Sequence, residues 1–201
     1  MEVQVLLCAP FYRMESKRNI FLIKATLVFI TLVIFTYEFG RRDAVNLSAV
    51  LAAIPLVFAV DVVGYFTKRK ISPSLEVAYL FFILMASTVG VGLMAYHSGF
   101  TYDKIVHFCS GILTIFMARE LFGKDAVKMR PLINFMFYIG LAALVAAVWE
   151  TFEFTMDQIL GTDMQRVIKW GVKDTMVDVL AAMVGAIGTW VILHQRKRRR
   201  I

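Results

Sequence analysis

Six apolar runs separated by short polar breaks fill this chain: residues 20–39, 47–66, 75–96, 105–122, 131–154 and 175–193. About 20 mostly apolar residues in a helix cross the hydrocarbon core of a membrane. Lipid excludes open sheet and irregular backbone, whose amide groups would lack partners. The pattern therefore predicts an all-α, polytopic membrane helical bundle of about six transmembrane helices, forming one membrane-embedded domain over 1–201. The fourth run is the weakest. It is short and carries His107, Arg119 and Glu120, so neighbouring helices must shield it.

The longest break, 155–174, alternates apolar and polar groups through Met156, Ile159, Leu160, Met164, Val167, Ile168 and Trp170. It reads as an interfacial helix or lid on the membrane surface, with Trp170 at headgroup level and Gly161 and Gly171 at its bends. A plain connector fits the same pattern. Small residues mark close helix contacts: Gly140, Ala143 and Ala147 in the fifth run, and Ala182, Gly185, Ala186 and Gly188 in the last.

Composition agrees with the pattern. The chain is 59% hydrophobic with 17 Phe, and its mean hydropathy is +0.70. The net charge of +7 would suit nucleic acid, but its densest part, Arg196 to Arg200, directly follows an apolar run. That is the usual cytoplasmic anchor, with added attraction to anionic lipid, so no nucleic-acid partner is expected. With both termini inside (N-in/C-in), fourteen Lys and Arg lie in cytoplasmic segments. Only six, Arg41, Arg42, Lys104, Arg166, Lys169 and Lys173, lie outside. The expected location is the inner or plasma membrane, multi-pass, with membrane lipids as neighbours. Met14 reads as a natural start, which makes residues 1–13 an extension or a loose tail. Cys8 and Cys109 would lie at opposite faces and remain unpaired.

The ionisable residues collect where the runs break. Asp103 and His107 open the fourth run, Glu150, Glu153 and Asp157 close the fifth, and Asp174 and Asp178 open the sixth. His97 ends the third run and reads as an interfacial residue, and Glu38 ends the first on the same side. Helical spacing puts Asp103, His107, Ser110 and Thr114 on one stripe, Glu150, Glu153 and Asp157 on a second, and Asp174 and Asp178 on a third. Asp103 and Asp174 suit helix N-termini, whereas Glu150 and Glu153 sit at a C-terminus that disfavours negative charge. Asp61 reads as an interfacial ion pair beside Lys68 to Lys70, and Arg119 with Glu120 as another.

Carboxylates gathered this closely repel strongly at low dielectric and need compensation. A divalent metal ion held by oxygens and imidazole would supply it. So would shared protons, as in a relay or a cation-coupled carrier. So would a structural network with Lys104, Arg166, Lys169 and Lys173. Other chemistries lack their motifs: the sequence holds no Gly-x-x-x-x-Gly-Lys loop, no Gly-x-Ser-x-Gly, no His-Glu-x-x-His and no cysteine pair suited to zinc.

Three segments in order, Tyr102-Asp103-Lys104-Ile105-Val106-His107-Phe108, Trp149-Glu150-Thr151-Phe152-Glu153-Phe154 and Asp174-Thr175-Met176-Val177-Asp178 with Gly185-Ala186, resemble the YjdF-like family of small bacterial inner-membrane proteins. A remoter similarity reaches the VanZ-like proteins, some of them associated with glycopeptide-antibiotic resistance. Glu153 stands where those usually carry Gln, and Ala182 where they carry Asn. The resemblance implies a site centred on Asp103, His107, Glu150 and Asp178 and names no chemistry for it.

The leading expectation is a carboxylate/His site at the extracytoplasmic face. Asp103, His107, Glu150 and Asp178 would be metal ligands, and Glu153 or Asp174 a general base. Metal-assisted hydrolysis or transfer on an amphiphilic, lipid or lipid-linked substrate suits that place. The alternatives are a proton- or cation-coupled transporter or permease, built as a homo-oligomer, and a non-catalytic membrane component.

Overall fold

The apolar runs fold as helices and the polar breaks become their ends. The computed structural model describes residues 2–41, 44–92, 100–126 and 128–198, and among these there is no strand. In chain order the elements are α1 (Glu2–Arg41), α2 (Ala44–Val57), α3 (Ala59–Thr67), α4 (Pro73–Ile83), a π-helical stretch (Leu84–Gly92), α5 (Phe100–Ala126), α6 (Pro131–Leu160), α7 (Val167–Trp170) and α8 (Lys173–Arg198). Because α1 begins at Glu2, the expected loose tail is helical.

Among the described residues, five stretches are long and apolar enough to cross a membrane: Arg18–Arg41, Leu47–Thr67, Thr101–Gly123, Pro131–Leu160 and Lys173–Gln195. Phe21, Phe29, Phe66, Leu132 and Leu180 stand on the outside of the bundle, the placement that lipid, itself apolar, allows. The fourth run, expected to be the weakest, is a full-length span. The irregular one is the third: α4 is regular to Ile83, then the backbone widens into the π-helical stretch, and His97 lies outside the described residues.

Proline sets two of the helix starts. Pro73 and Pro131 each occupy the first turn of their helix, where a missing N–H removes no bond. Pro55 lies inside the second span, which breaks into α2 and α3 at Phe58, whose N–H donates to the Pro55 carbonyl three residues back at 3.1 Å.

The helices form two packed groups. Leu27, Ala53, Val57, Leu80 and Ile83 make the core shared by α1, α2 and α4. Ile115, Ala118, Ala126, Tyr138, Ile139, Ala142 and Ala186 make the core shared by α5, α6 and α8. Glu120 of α5 ties the groups together at one end, accepting hydrogen bonds at 2.5 Å from both the backbone N–H and the hydroxyl of Ser72, the N-cap residue of α4. The expected Arg119–Glu120 pairing is corrected to this capping role: an N-cap donor close to the carboxylate is a better partner than the adjacent side chain on the same helix.

Packing within the second group is closest between α5 and α8. A Cβ added to Gly111 would collide with the backbone carbonyl of Ala182, and one added to Gly185 with that of Phe108. Gly185, Ala182 and Ala186 thus fulfil the expected close contact, and Gly111 joins them. Gly188 and Gly140 have open space instead. On α6 the buried face is Ala142, Ala146 and Glu150, one residue removed from the stripe expected at Gly140, Ala143 and Ala147. The spacing of four along this face carries Glu150 directly into the bundle interior.

Candidate metal centre

The seam between α5 and α8 sets the site. With backbones in contact at Gly111 and Gly185, the first turn of α5 lies against the first turn of α8, and the last turns of α6 close the third side. Asp103, Lys104 and His107 therefore meet Asp174, Asp178 and Glu150. His107, Glu150, Asp174 and Asp178 are buried, each no more than 5% exposed.

Lys104 is the hub of one half. Its Nζ lies 2.5 Å from Asp178 Oδ2, 2.6 Å from Asp174 Oδ1 and 3.1 Å from Asp103 Oδ2. Arg166 Nη1 approaches Asp103 Oδ2 at 3.7 Å.

His107 is the hub of the other half. Its Nε2 stands 3.6 Å from Glu150 Oε1, 3.7 Å from Asp178 Oδ1 and 3.8 Å from Asp103 Oδ1. These separations exceed hydrogen-bonding distance. Both Glu150 carboxylate oxygens and Asp178 Oδ1 are buried with no hydrogen-bond partner. Gln165 lies beside Glu150 yet donates to the Glu150 backbone carbonyl at 3.3 Å and to the Thr175 hydroxyl at 3.2 Å.

Buried oxygens without donors are expensive, and a cation beside His107 would give Glu150 Oε1 and Asp178 Oδ1, which both face it, a partner. Asp103, His107 and Asp178 each offer one ligand atom, all within 4.8 Å of one another. A four-coordinate ion with bonds of 2.0–2.2 Å separates its ligands by roughly 3.3–3.6 Å. The distances from His107 Nε2, 3.6, 3.7 and 3.8 Å, lie at and just above the top of that range. At formal charge, the carboxylates of Asp103, Glu150, Asp174 and Asp178 face the two cations Lys104 and Arg166, leaving two negative charges, the complement of a divalent ion.

The remaining expected residues divide. Glu153 accepts a hydrogen bond from Trp149 Nε1 at 2.8 Å and lines a cavity beside the centre. Asp174 is enclosed with Lys104 on the other side. Asp157 lies outside the cluster and organises the loop after α6. Its Oδ1 accepts from the Thr162 hydroxyl at 2.6 Å and the Met164 N–H at 2.7 Å, and its Oδ2 from the Gln165 N–H at 3.0 Å. That loop bends at Gly161 and Gly171, both with positive φ as expected, and places Arg166 at φ 53°. Left-handed backbone disfavours residues other than glycine by on the order of 1 kcal/mol; at Arg166 the N–H donates to the Asp163 carbonyl at 3.1 Å and the carbonyl accepts from the Trp170 N–H at 2.9 Å. Ser110 and Thr114 donate to carbonyls of their own helix, those of His107 and Ser110. Glu38 is buried on α1, which packs against α2 and α4.

Of the four cations expected to neutralise the acids, Lys104 does so directly and Arg166 at longer range, while Lys169 lies over the Trp170 ring. Asp61 is also corrected: it pairs with Lys24 of α1 at 2.6 Å, not with Lys68 to Lys70. Lys24 pairs equally with Glu76 of α4. A buried ammonium within a span needs carboxylates at its own depth, and Lys24 was the signal in the sequence for this second cluster. Cys109 is a free, exposed thiol.

The cavity has a volume of about 890 Å³ and lies between the two helix groups. Ala52 and Leu56 of α2, Phe82 of α4 and Val148 of α6 form its apolar wall, and Asp103, His107, Glu153, Asp163 and Arg166 its polar end.

Helices of spanning length, lipid-facing apolar side chains and an ionisable centre inside the bundle define a multi-pass integral membrane protein. The chain belongs to the family of predicted membrane proteins DUF2238, whose model matches residues 20–199. This bears out the YjdF-like resemblance, since the YjdF-like family is DUF2238. An uncharacterized protein of Thermotoga maritima is 28% identical over 188 residues, which are 80% of this chain and 94% of that one. No solved structure matches the chain.

Proposed function

We propose that this protein is a metal-dependent membrane enzyme that hydrolyses or transfers an ester of a lipid or lipid-linked substrate. Asp103, His107, Glu150 and Asp178 hold one divalent ion at the extracytoplasmic face. The observation that carries this reading is the convergence of three carboxylate oxygens on His107 Nε2, two of them, Glu150 Oε1 and Asp178 Oδ1, buried without hydrogen bonds, beside a cavity open to large apolar groups. The face follows from the distribution of Lys and Arg.

Such an ion would generate hydroxide from water near neutral pH and polarise a phosphoryl oxygen. Glu153, on the cavity wall, takes the proton of the attacking water as general base. Asp174, enclosed with Lys104, supports the ligand carboxylates instead. The new bond joins the water oxygen to phosphorus, the ester P–O bond breaks, and the leaving alcohol takes up the proton. The Asp-Lys-x-x-His motif shared with VanZ-like proteins is in keeping with a site at this position. Reconstituted protein should release phosphate or alcohol from lipid phosphates, with Glu153→Gln lowering the rate about 100-fold. No turnover over a panel of lipid phosphates by metal-loaded protein would overturn the enzymatic part.

One observation favours a second reading, cation-coupled transport. Lys24, Asp61 and Glu76 form a charged cluster at the opposite end of the bundle, and Tyr79, one turn along α4 from Glu76, lines the same cavity. Substrate or ion uptake into proteoliposomes, abolished by Asp178→Asn, would support it over catalysis.

A further inference from the structure

The cavity has a shape and a polarity that name its ligand. The two helix groups each have their own core, and the cavity is what lies between them, its walls taken from α2 and α4 on one side and α5 and α6 on the other. Most of its lining is apolar and lies within spanning helices, so only a hydrocarbon chain is matched to it. Its far end is different. Asp103 and His107, the two members of the metal centre that also line the cavity, stand there with Arg166. The accessible edge of the centre therefore faces the cavity, and a planar guanidinium borders the same space.

We propose that this cavity seats a single long-chain amphiphile ending in an oxyanion. The chain lies between α2 and α6, and the headgroup rests at the polar end of the cavity, alongside the Asp103–His107 edge and Arg166. The headgroup assignment rests on the metal-centre reading; the seat for the chain does not. A divalent centre accepts anionic oxygen, and arginine recognises phosphate or carboxylate through paired N–H groups. Uncompensated carboxylates at the same end disfavour an oxyanion when no cation is bound, so headgroup selectivity depends on the loaded centre. The loop that Asp157 ties through Thr162, Met164 and Gln165 leads directly into Arg166.

Trp149 lines the cavity and reports on it. A variant with Trp170→Phe and Trp190→Phe leaves it as the sole tryptophan. This full chain, in non-ionic detergent and with its metal content measured, is titrated with brominated-chain phosphatidic acid, brominated fatty acid and brominated phosphatidylcholine. Saturable quenching of Trp149 is expected with at least one oxyanion lipid, half-saturating at about tenfold lower concentration than phosphatidylcholine. Phosphatidic acid alone would assign a lipid phosphate, and fatty acid alone a free carboxylate. Arg166→Gln should erase the preference, Arg166→Lys should restore part of it, and Ala52→Phe, which narrows the wall, should weaken quenching by every lipid. Equal quenching by all three lipids, unchanged by Arg166→Gln or Ala52→Phe, would mean contact with bulk detergent and lipid and would overturn the inference. Metal present with no selective quenching would remove this inference alone. Selective, Arg166-dependent quenching in protein that holds no metal would remove the metal centre and leave the seat standing.

Discussion

Asp178 turns Oδ1 toward His107, 3.7 Å from its Nε2, while its Oδ2 accepts a hydrogen bond from Lys104 at 2.5 Å. Asp103 is divided in the same way, Oδ2 toward Lys104 and Oδ1 toward His107. Each carboxylate thus gives one oxygen to a fixed ammonium and keeps the other facing the imidazole. Lys104 orients two ligands, and the unfilled demand lies on the His107 side.

Removing Lys104 leaves three carboxylates without their common cation. Lys104→Met should lower stability by about 3–5 kcal/mol, the range seen when one partner of a buried ion pair is deleted. Thermal unfolding in detergent would read this as a large drop in midpoint. An unchanged midpoint would mean that the carboxylates are not held by this ammonium.

Glu150 separates a ligand from a structural acid by the sign of its effect. In metal-free protein, Glu150→Leu removes a buried carboxylate with no hydrogen bonds and should raise the unfolding midpoint. In metal-loaded protein the same change should lower it, because the ion is lost along with its linkage to folding. Melting curves with and without chelator check both signs.

The α5–α8 seam should not tolerate a larger side chain. Gly111→Val or Gly185→Val forces the helices apart where the backbones touch, costing about 1–3 kcal/mol. Each should also weaken metal binding although neither residue is near a ligand atom. Gly140→Val, facing open space, is the control and should leave metal binding unchanged.

Lys24 tests whether the two charged clusters are independent. Lys24→Met should destabilise the α1–α3–α4 contacts by breaking the pairs with Asp61 and Glu76, yet leave metal content at the parent level. Loss of metal in Lys24→Met would tie the two ends together and strengthen the transport reading.

Much of the site was legible because membrane depth makes ionisable residues conspicuous. Asp103, His107, Glu150 and Asp178 stood out against apolar runs, and helical spacing alone put them on inward stripes. Glu150 was singled out by an expected place at a helix C-terminus. That reason fails, because α6 runs on to Leu160 and the dipole acts only in the last turn. The residue nonetheless proved to be the acid whose two carboxylate oxygens both lack hydrogen bonds. Periodicity failed where tertiary contacts decide. It could not tell that Asp157, on the stripe of Glu150, would be consumed by backbone N–H groups of the next loop. Nor could it show that Lys104 would reach across to α8, since that depends on how closely Gly111 and Gly185 let the helices approach. Lys24 was visible as a lone cation in an apolar run, but its partners lie 37 and 52 residues away in sequence, beyond any local pattern.

The central claim is that His107 and the three carboxylates around it, Asp103, Glu150 and Asp178, hold a metal ion. The most direct test is the metal content of protein purified without chelator, measured by plasma mass spectrometry beside a His107→Ala, Glu150→Ala double variant that remains folded. About one divalent ion per parent chain and none in the variant is the expected result. No ion in the parent, even after incubation with Mn²⁺ or Zn²⁺, would contradict the claim and leave the unpaired carboxylates to proton sharing.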